Sequence, residues 1–166
     1  MESLASWFAA ALGAKVPAEA VVFIVSLLPV LECRGGLLVA SLLGVDIRTA
    51  LPITVIGNMI PIPFLLLFLR RLFRFLKRFR HFRPFVEKME KRAASKSSAL
   101  SNGEFLGLLL FVGIPLPGTG GWTGSMVAGL MGMKTGKALL AIFLGVLLAT
   151  LIMAVVSYGL LGLLIR

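Results

Sequence analysis

Leu27-Leu28-Pro29-Val30-Leu31-Glu32-Cys33-Arg34-Gly35-Gly36-Leu37-Leu38 decides how this chain is read. A carboxylate and a guanidinium stand two residues apart inside an apolar run. On insertion scales each such charge costs about 2.5–3.5 kcal/mol at the centre of a bilayer. A chain keeps these charges where they pair, line a watery cavity or work on a substrate. Pro29 before them and Gly35 and Gly36 after them predict a break in the backbone at the same place.

The rest of the composition says that the surroundings are membrane. Of 166 residues, 58% are apolar and 14% charged, against about 25% charged in a soluble domain. The mean hydropathy is +1.01. The expectation is an all-α, multi-pass integral membrane protein, one domain over 1–166 with no separate soluble part. Its parts are an interfacial helix at 1–16, a first unit at 18–69, a basic connector at 70–104 and a second unit at 105–166. The first of these is not a secretory leader, having Glu2 and no basic segment before its apolar residues. Leu4, Trp7, Phe8, Ala11 and Leu12 form one face of a helix lying in the interface. The lone Cys33 forms no intrachain disulfide and says nothing of redox compartment.

Four apolar blocks follow. Ala20–Leu31 and Leu37–Val45 flank the first break, and Thr49–Leu69 is long enough to cross. Phe105–Pro117 and Ser125–Met133 flank a second break, Gly118-Thr119-Gly120-Gly121-Trp122-Thr123-Gly124. Ala138–Ile165 must span. The two regions repeat. Leu28, Pro29, Gly36, Val39, Ala40, Leu42, Gly44, Ala50, Leu51 and Gly57 recur 88 positions on as Leu116, Pro117, Gly124, Val127, Ala128, Leu130, Gly132, Ala138, Leu139 and Gly145. The flanking helices are too short to cross, so each pair is a re-entrant hairpin or one broken span. Pro/Gly-interrupted segments at matching places in two halves point to a transport site.

Charge separates the two topologies. Arg70, Arg71, Arg74, Lys77, Arg78, Arg80, Arg83, Lys88, Lys91, Arg92 and Lys96 lie in one stretch, which is expected on the cytoplasmic side. Re-entrant hairpins put Lys134 and Lys137 there too, with both termini outside and the units inverted. Broken spans put those lysines outside and both termini inside. The re-entrant arrangement is adopted, because it places thirteen of the seventeen Lys and Arg inside.

Candidate site residues follow from the breaks. Glu32 is read as a proton or cation site and Arg34 as the holder of an anionic group, with Pro29 and Gly35 shaping the loop. The competing reading has the two pair and cap a helix starting near Gly36. The second break offers backbone amides, two hydroxyls and an indole through Pro117, Gly118, Thr119, Gly120, Trp122 and Thr123; glycines admit a ligand close to the backbone. The competing reading there is helix packing through Gly124, Ala128 and Gly132. Asn58 lies in mid-span, in Gly57-Asn58-Met59-Ile60-Pro61-Ile62-Pro63, where the prolines are expected to kink the helix. It lines the cavity or bonds across helices. Asp46 reads as a cap or loop residue after Gly44.

In the basic stretch Leu72, Phe75, Leu76, Phe79, Phe82, Val86 and Met89 recur every three or four residues. That makes an amphipathic helix with Arg70, Arg71, Arg74, Lys77 and Arg78 toward anionic lipid head groups, rather than a nucleic-acid surface. Pro84 is expected to divide it, and His81 is read as solvated. Nucleophile–base sets, metal-ligand clusters and phosphate loops are missing from the sequence, so neither an enzyme nor a cofactor nor a metal is expected.

Together the motifs Pro29-Val30-Leu31-Glu32-Cys33-Arg34-Gly35-Gly36, Gly57-Asn58-Met59-Ile60-Pro61-Ile62-Pro63-Phe64 and Gly113-Ile114-Pro115-Leu116-Pro117-Gly118-Thr119-Gly120-Gly121-Trp122-Thr123-Gly124 resemble the bacterial and archaeal small multi-drug export protein family. The resemblance covers nearly the whole chain. It implies kinship with the DedA/VTT superfamily, whose members are described as two inverted re-entrant hairpins, each followed by a span. Those proteins are linked to lipid translocation, proton-dependent homeostasis and drug tolerance. They tend to carry an arginine after the second Pro-Gly; this chain has none there, so a polyprenyl-phosphate substrate does not carry over. The expected function is a proton- or ion-coupled transporter or flippase for an anionic or amphiphilic molecule or lipid, working as a homodimer. An energy-independent scramblase and a non-transporting scaffold are the alternatives.

Overall fold

The computed structural model describes residues 16–76, 78, 79, 84, 87, 88 and 101–160. The expected helix at 1–16 lies outside this set apart from Val16. So do Lys77, His81, most of the connector after Leu76, and the side chains of Arg70 and Arg74. Among the described residues all regular structure is helical: α1 Ala18–Leu27, α2 Glu32–Leu42, α3 Ile47–Met59, α4 Pro61–Leu76, α5 Ser101–Gly113, α6 Gly121–Leu130 and α7 Thr135–Ala154, followed by a π-helical turn at Val155–Leu160.

Two apolar stretches are long enough to cross a membrane, Ile47–Leu69 with 23 residues and Thr135–Gly159 with 25. As helix these measure about 34 and 37 Å. The first passes through the prolines without the expected sharp kink. Ile60 keeps helical angles (φ −54°, ψ −48°) and its N–H donates to Ile56 O at 3.0 Å. Pro61 and Pro63 sit in the first turn of α4, where a missing N–H matters least. The α4 helix then runs on to Leu76, so the start of the basic stretch continues the span. Arg71, Leu72 and Phe75 are exposed on it and Arg78 and Phe79 just past its end, and the Phe75 and Phe79 rings meet edge to face at 5.2 Å.

The short helices fold back in pairs. A side chain on Gly36 in α2 would meet Ser26 in α1; in one continuous helix these residues would stand about 15 Å apart. Gly124 in α6 likewise faces Val112 and Leu108 in α5. Each pair rests on the helix after it, where glycine lets backbones close. Gly57 lies against Phe23 O and Ser26, and Gly145 against Leu109 O and Val112. Small residues at helix crossings are the usual means of close packing in lipid.

The correspondence 88 residues apart extends to the backbone. Gly44 and Gly132 end α2 and α6 with φ of 69° and 68°. After them Val45 N donates to Ala40 O at 2.9 Å and Met133 N to Ala128 O at 3.0 Å, the same helix-ending turn. Upstream of the breaks the offset is 86, as α1 ends at Leu27 and α5 at Gly113, whereas α2 and α6 begin 89 apart at Glu32 and Gly121, so the second break is three residues longer.

Polar side chains lie inside and apolar ones outside. Glu32, Ser26, Thr54, Asn58, Ser125, Thr150 and Ser157 are buried, while Ile56, Phe64, Leu67, Phe68, Leu140, Leu151 and Val155 are exposed. Apolar surface on this scale is unstable in water and at rest against acyl chains. Ser26, Thr54 and Ser125 return their hydroxyls to Val22 O, Ala50 O and Gly121 O, one turn back. The spans contact each other along their length. Tyr158 OH donates to Val45 O at 2.8 Å and Ser41 Oγ to Ser157 O at 2.9 Å. Ile62 and Leu66 of α4 cluster with Ala138, Ala141 and Ile142 of α7. The end of the second stretch therefore lies at the start of the first, and its start lies beside α4.

Candidate functional site

The two breaks meet. Glu32 opens α2 at φ 50°, left-handed backbone that a side-chain-bearing residue adopts at a cost of about 1–2 kcal/mol. The carboxylate is 4% exposed. Its Oε2 accepts the N–H of Gly121 and its Oε1 the N–H of Trp122, both at 3.1 Å. These are the first amides of α6, on the other half of the chain. Glu32 thus caps the opposite hairpin's second helix, and the competing reading of a cap on a helix beginning near Gly36 does not hold, since α2 begins at Glu32 itself. Unmatched N–H groups and the helix dipole both favour a negative charge there.

Arg34 does the complementary thing. Its Nη1 donates to Leu116 O at 2.6 Å, and Nη2 lies 3.3 Å from Ile114 O, 3.4 Å from Val112 O and 3.0 Å from Thr119 Oγ1. The guanidinium therefore closes the carbonyl end of α5, where positive charge is favoured. Glu32 and Arg34 each find their hydrogen-bond partners on the other half of the chain, not in each other as the competing reading had them. Together they bridge the halves in a crossed pattern, the anion at the start of α6 and the cation at the end of α5. Thr119 Oγ1 donates in turn to Leu116 O at 2.9 Å or Ile114 O at 3.0 Å.

A cavity of about 520 Å³ opens between the breaks. Pro29, Glu32 and Arg34 line it from one side and Pro117, Gly118, Thr119 and Thr123 from the other, with Met153 contributed by α7. Gly120 is not in the lining; a side chain there would collide with the Glu32 carboxylate. Gly35 also stays out of it and packs on Leu31. Trp122 contributes its amide, while its indole Nε1 is buried without a partner. Asn58 lies next to the carboxylate, fully buried, with Oδ1 3.3 Å from where a Cβ on Gly121 would be. Arg71 lies on the extension of α4 and Arg78 just past its end, apart from the cavity lining.

A family model matches residues 32–152, from the buried glutamate through the first long apolar stretch and the second break and most of the way along the second stretch. The chain belongs to the small multi-drug export protein family. No curated protein and no solved structure matches it. Family membership and the two apolar helices mark a membrane protein, and the family's name is that of an exporter.

Some contributors had no signal in the sequence. The carbonyls of Val112, Ile114 and Leu116 are backbone groups, invisible in residue type. Met153 and Thr150 sit in a uniformly apolar span. Only Thr150 could have been singled out, as the sole hydroxyl residue between Ala138 and Ile152.

Proposed function

We propose that this exporter-family chain is a small secondary transporter or flippase that moves an anionic or amphiphilic molecule or lipid across a prokaryotic inner membrane. We read it as two inverted re-entrant units whose breaks meet near midplane, a layout like that described for DedA/VTT proteins. The contacts of Tyr158 with Val45 and Ser157 with Ser41 support inversion, because they set the two spans running in opposite senses. The fold-back of α1 on α2 and of α5 on α6 supports re-entrance.

The observation that carries the reading is the crossed bridge beside the cavity. A volume of about 520 Å³ lies within the range of small-molecule sites, about 300–1,000 Å³. Its walls are the only contacts between hairpins made by charge among the described site residues. Glu32 holds α6 through charge-assisted bonds, which are about twice as strong as neutral ones. Taking up a proton neutralises the acceptor and weakens its hold on Gly121 and Trp122. The halves then separate at the cavity, and loss of the proton draws them together again. Arg34, tied to α5, gives an anionic head group a positive wall. Arg70, Arg71, Arg74, Lys77 and Arg78 hold the connector to anionic lipids, and a homodimer completes the pathway. No cofactor, metal or covalent step is part of this reading.

The test is reconstitution of the purified chain into vesicles holding NBD-labelled phosphatidylglycerol, with and without a pH gradient. The expected result is gradient-dependent movement, lost in Glu32→Gln and in Arg34→Ala. Movement unaffected by both substitutions overturns the assignment; movement indifferent to the gradient makes the protein a scramblase.

A further inference from the structure

Next to Glu32, outside the cavity lining, lies a second polar site. Asn58 on α3 is fully buried and Thr150 on α7 is 2% exposed. Asn58 Nδ2 and Oδ1 and Thr150 Oγ1 all lack a hydrogen-bond partner. Cys33, 1% exposed, lies against both side chains, and Asn58 also neighbours the Glu32 carboxylate. Three helices thus bring an amide, a hydroxyl, a thiol and a carboxylate to one spot, where the amide and the hydroxyl are left without a hydrogen-bond partner. A buried amide and hydroxyl left without partners are costly, and such groups are commonly satisfied by internal water.

We propose that Asn58 and Thr150 hold buried water against Glu32 and Cys33, giving the carboxylate a proton route outside the cavity lining. This rests on the reading of Glu32 as the coupling group. A coupled transporter must reach its carboxylate from two sides in turn, and the cavity supplies one. On this second route, a proton arriving on the water passes to a Glu32 oxygen. An O–H bond forms there as one breaks on the water, which is left neutral. Thr150 and Asn58 orient the water. The charged and titratable neighbours of Glu32 are Arg34 and Cys33, both on α2; α3, α6 and α7 bring the neutral Asn58, the Gly121 and Trp122 amides and Thr150. Cations have less to recommend them here, because the site offers N–H, O–H and S–H donors as well as oxygens.

Cys33 is a reporter in place. X-ray radiolysis of the full chain in lipid nanodiscs generates hydroxyl radicals from bound water, and mass spectrometry reads oxidation of the neighbouring thiol. The expected result is Cys33 oxidation despite resistance to a maleimide, falling at least fivefold in the near-isosteric Thr150→Val and further with Asn58→Leu added. Equal oxidation in wild type and Thr150→Val overturns the water site. The relay is tested in a Trp7→Phe background, where Trp122 is the sole indole. A pH jump should change Trp122 emission in the presence of Glu32 and not in Glu32→Gln, and Thr150→Val should slow that change about tenfold. An unchanged rate overturns the relay and leaves coupling at Glu32 standing. Absence of any Glu32-dependent signal overturns the coupling reading itself, with the water site then judged by Cys33 oxidation.

Discussion

The break at 28–31 and the break at 114–120 occupy equivalent places, yet the helix after the first opens on two charges while the second break leaves room for them. Position 32 is glutamate at φ 50°, and position 120, its counterpart 88 residues on, is glycine at φ 148°. The glycine has no side chain where the glutamate's carboxylate arrives. Arg34, in the first turn of α2, finds its acceptors on the carbonyls of the second break. The two copies of the unit thus contribute different things. The first provides a cation and an anion, and the second provides the two helix ends that need them. The symmetry of the backbone is kept, and the asymmetry of the side chains makes the site.

The comparison breaks most sharply at Gly120. Replacement by alanine drives a Cβ into the carboxylate and is expected to destabilise the protein by about 3 kcal/mol, at the upper end for overpacking. In a Glu32→Gly background the same change should cost less than half as much. A thermal-unfolding cycle with a coupling energy near zero would show that the two positions do not meet. Arg34→Ala comes next. It leaves the end of α5 without its donor and should cost about 2 kcal/mol, allowing for charge-assisted bonds that are partly exposed. Lysine at 34 should recover less than half of that, since one ammonium cannot span the same acceptors.

The shared part of the comparison is sharpened by the helix-packing glycines. Gly57→Ala and Gly145→Ala each set a methyl group about 3 Å from a backbone carbonyl that cannot retreat alone. Losses of about 1–2 kcal/mol, equal within error, are expected in unfolding experiments; a large difference would mean that the two halves pack differently. Gly136→Ala, in the first turn of α7 with open space around it, should raise stability by up to about 0.5 kcal/mol through helix propensity.

Much of this is legible in the sequence for a physical reason: lipid penalises charge and broken backbone so heavily that Glu32, Arg34 and the Pro/Gly runs stand out. The repeat is legible because glycine at tight turns and crossings leaves identical residues at identical spacing, as with Gly44 and Gly132. The partners of the charges are not legible. Glu32 and Arg34 sit two residues apart and look like a pair, but apart from Thr119 Oγ1 their partners are main-chain groups about 80–90 residues away, and main chain has no letter. Helix α2 starts five residues before the apolar block at Leu37. Cys33-Arg34-Gly35-Gly36 has poor helix propensity, which the capped and packed hairpin overrides. The sharp mid-span kink is absent because prolines at the start of α4 interrupt fewer bonds than prolines deep in a helix.

Inversion of the halves is the central claim, and it fixes where two loops lie. Single cysteines at Asp46 and at Lys134, in a Cys33→Ser background, should react with a membrane-impermeant maleimide from opposite sides of the membrane in intact and inverted vesicles. Position 46 should be labelled from outside and position 134 from the cytoplasmic face. Labelling of both from the same side would make each hairpin a broken crossing and contradict the account.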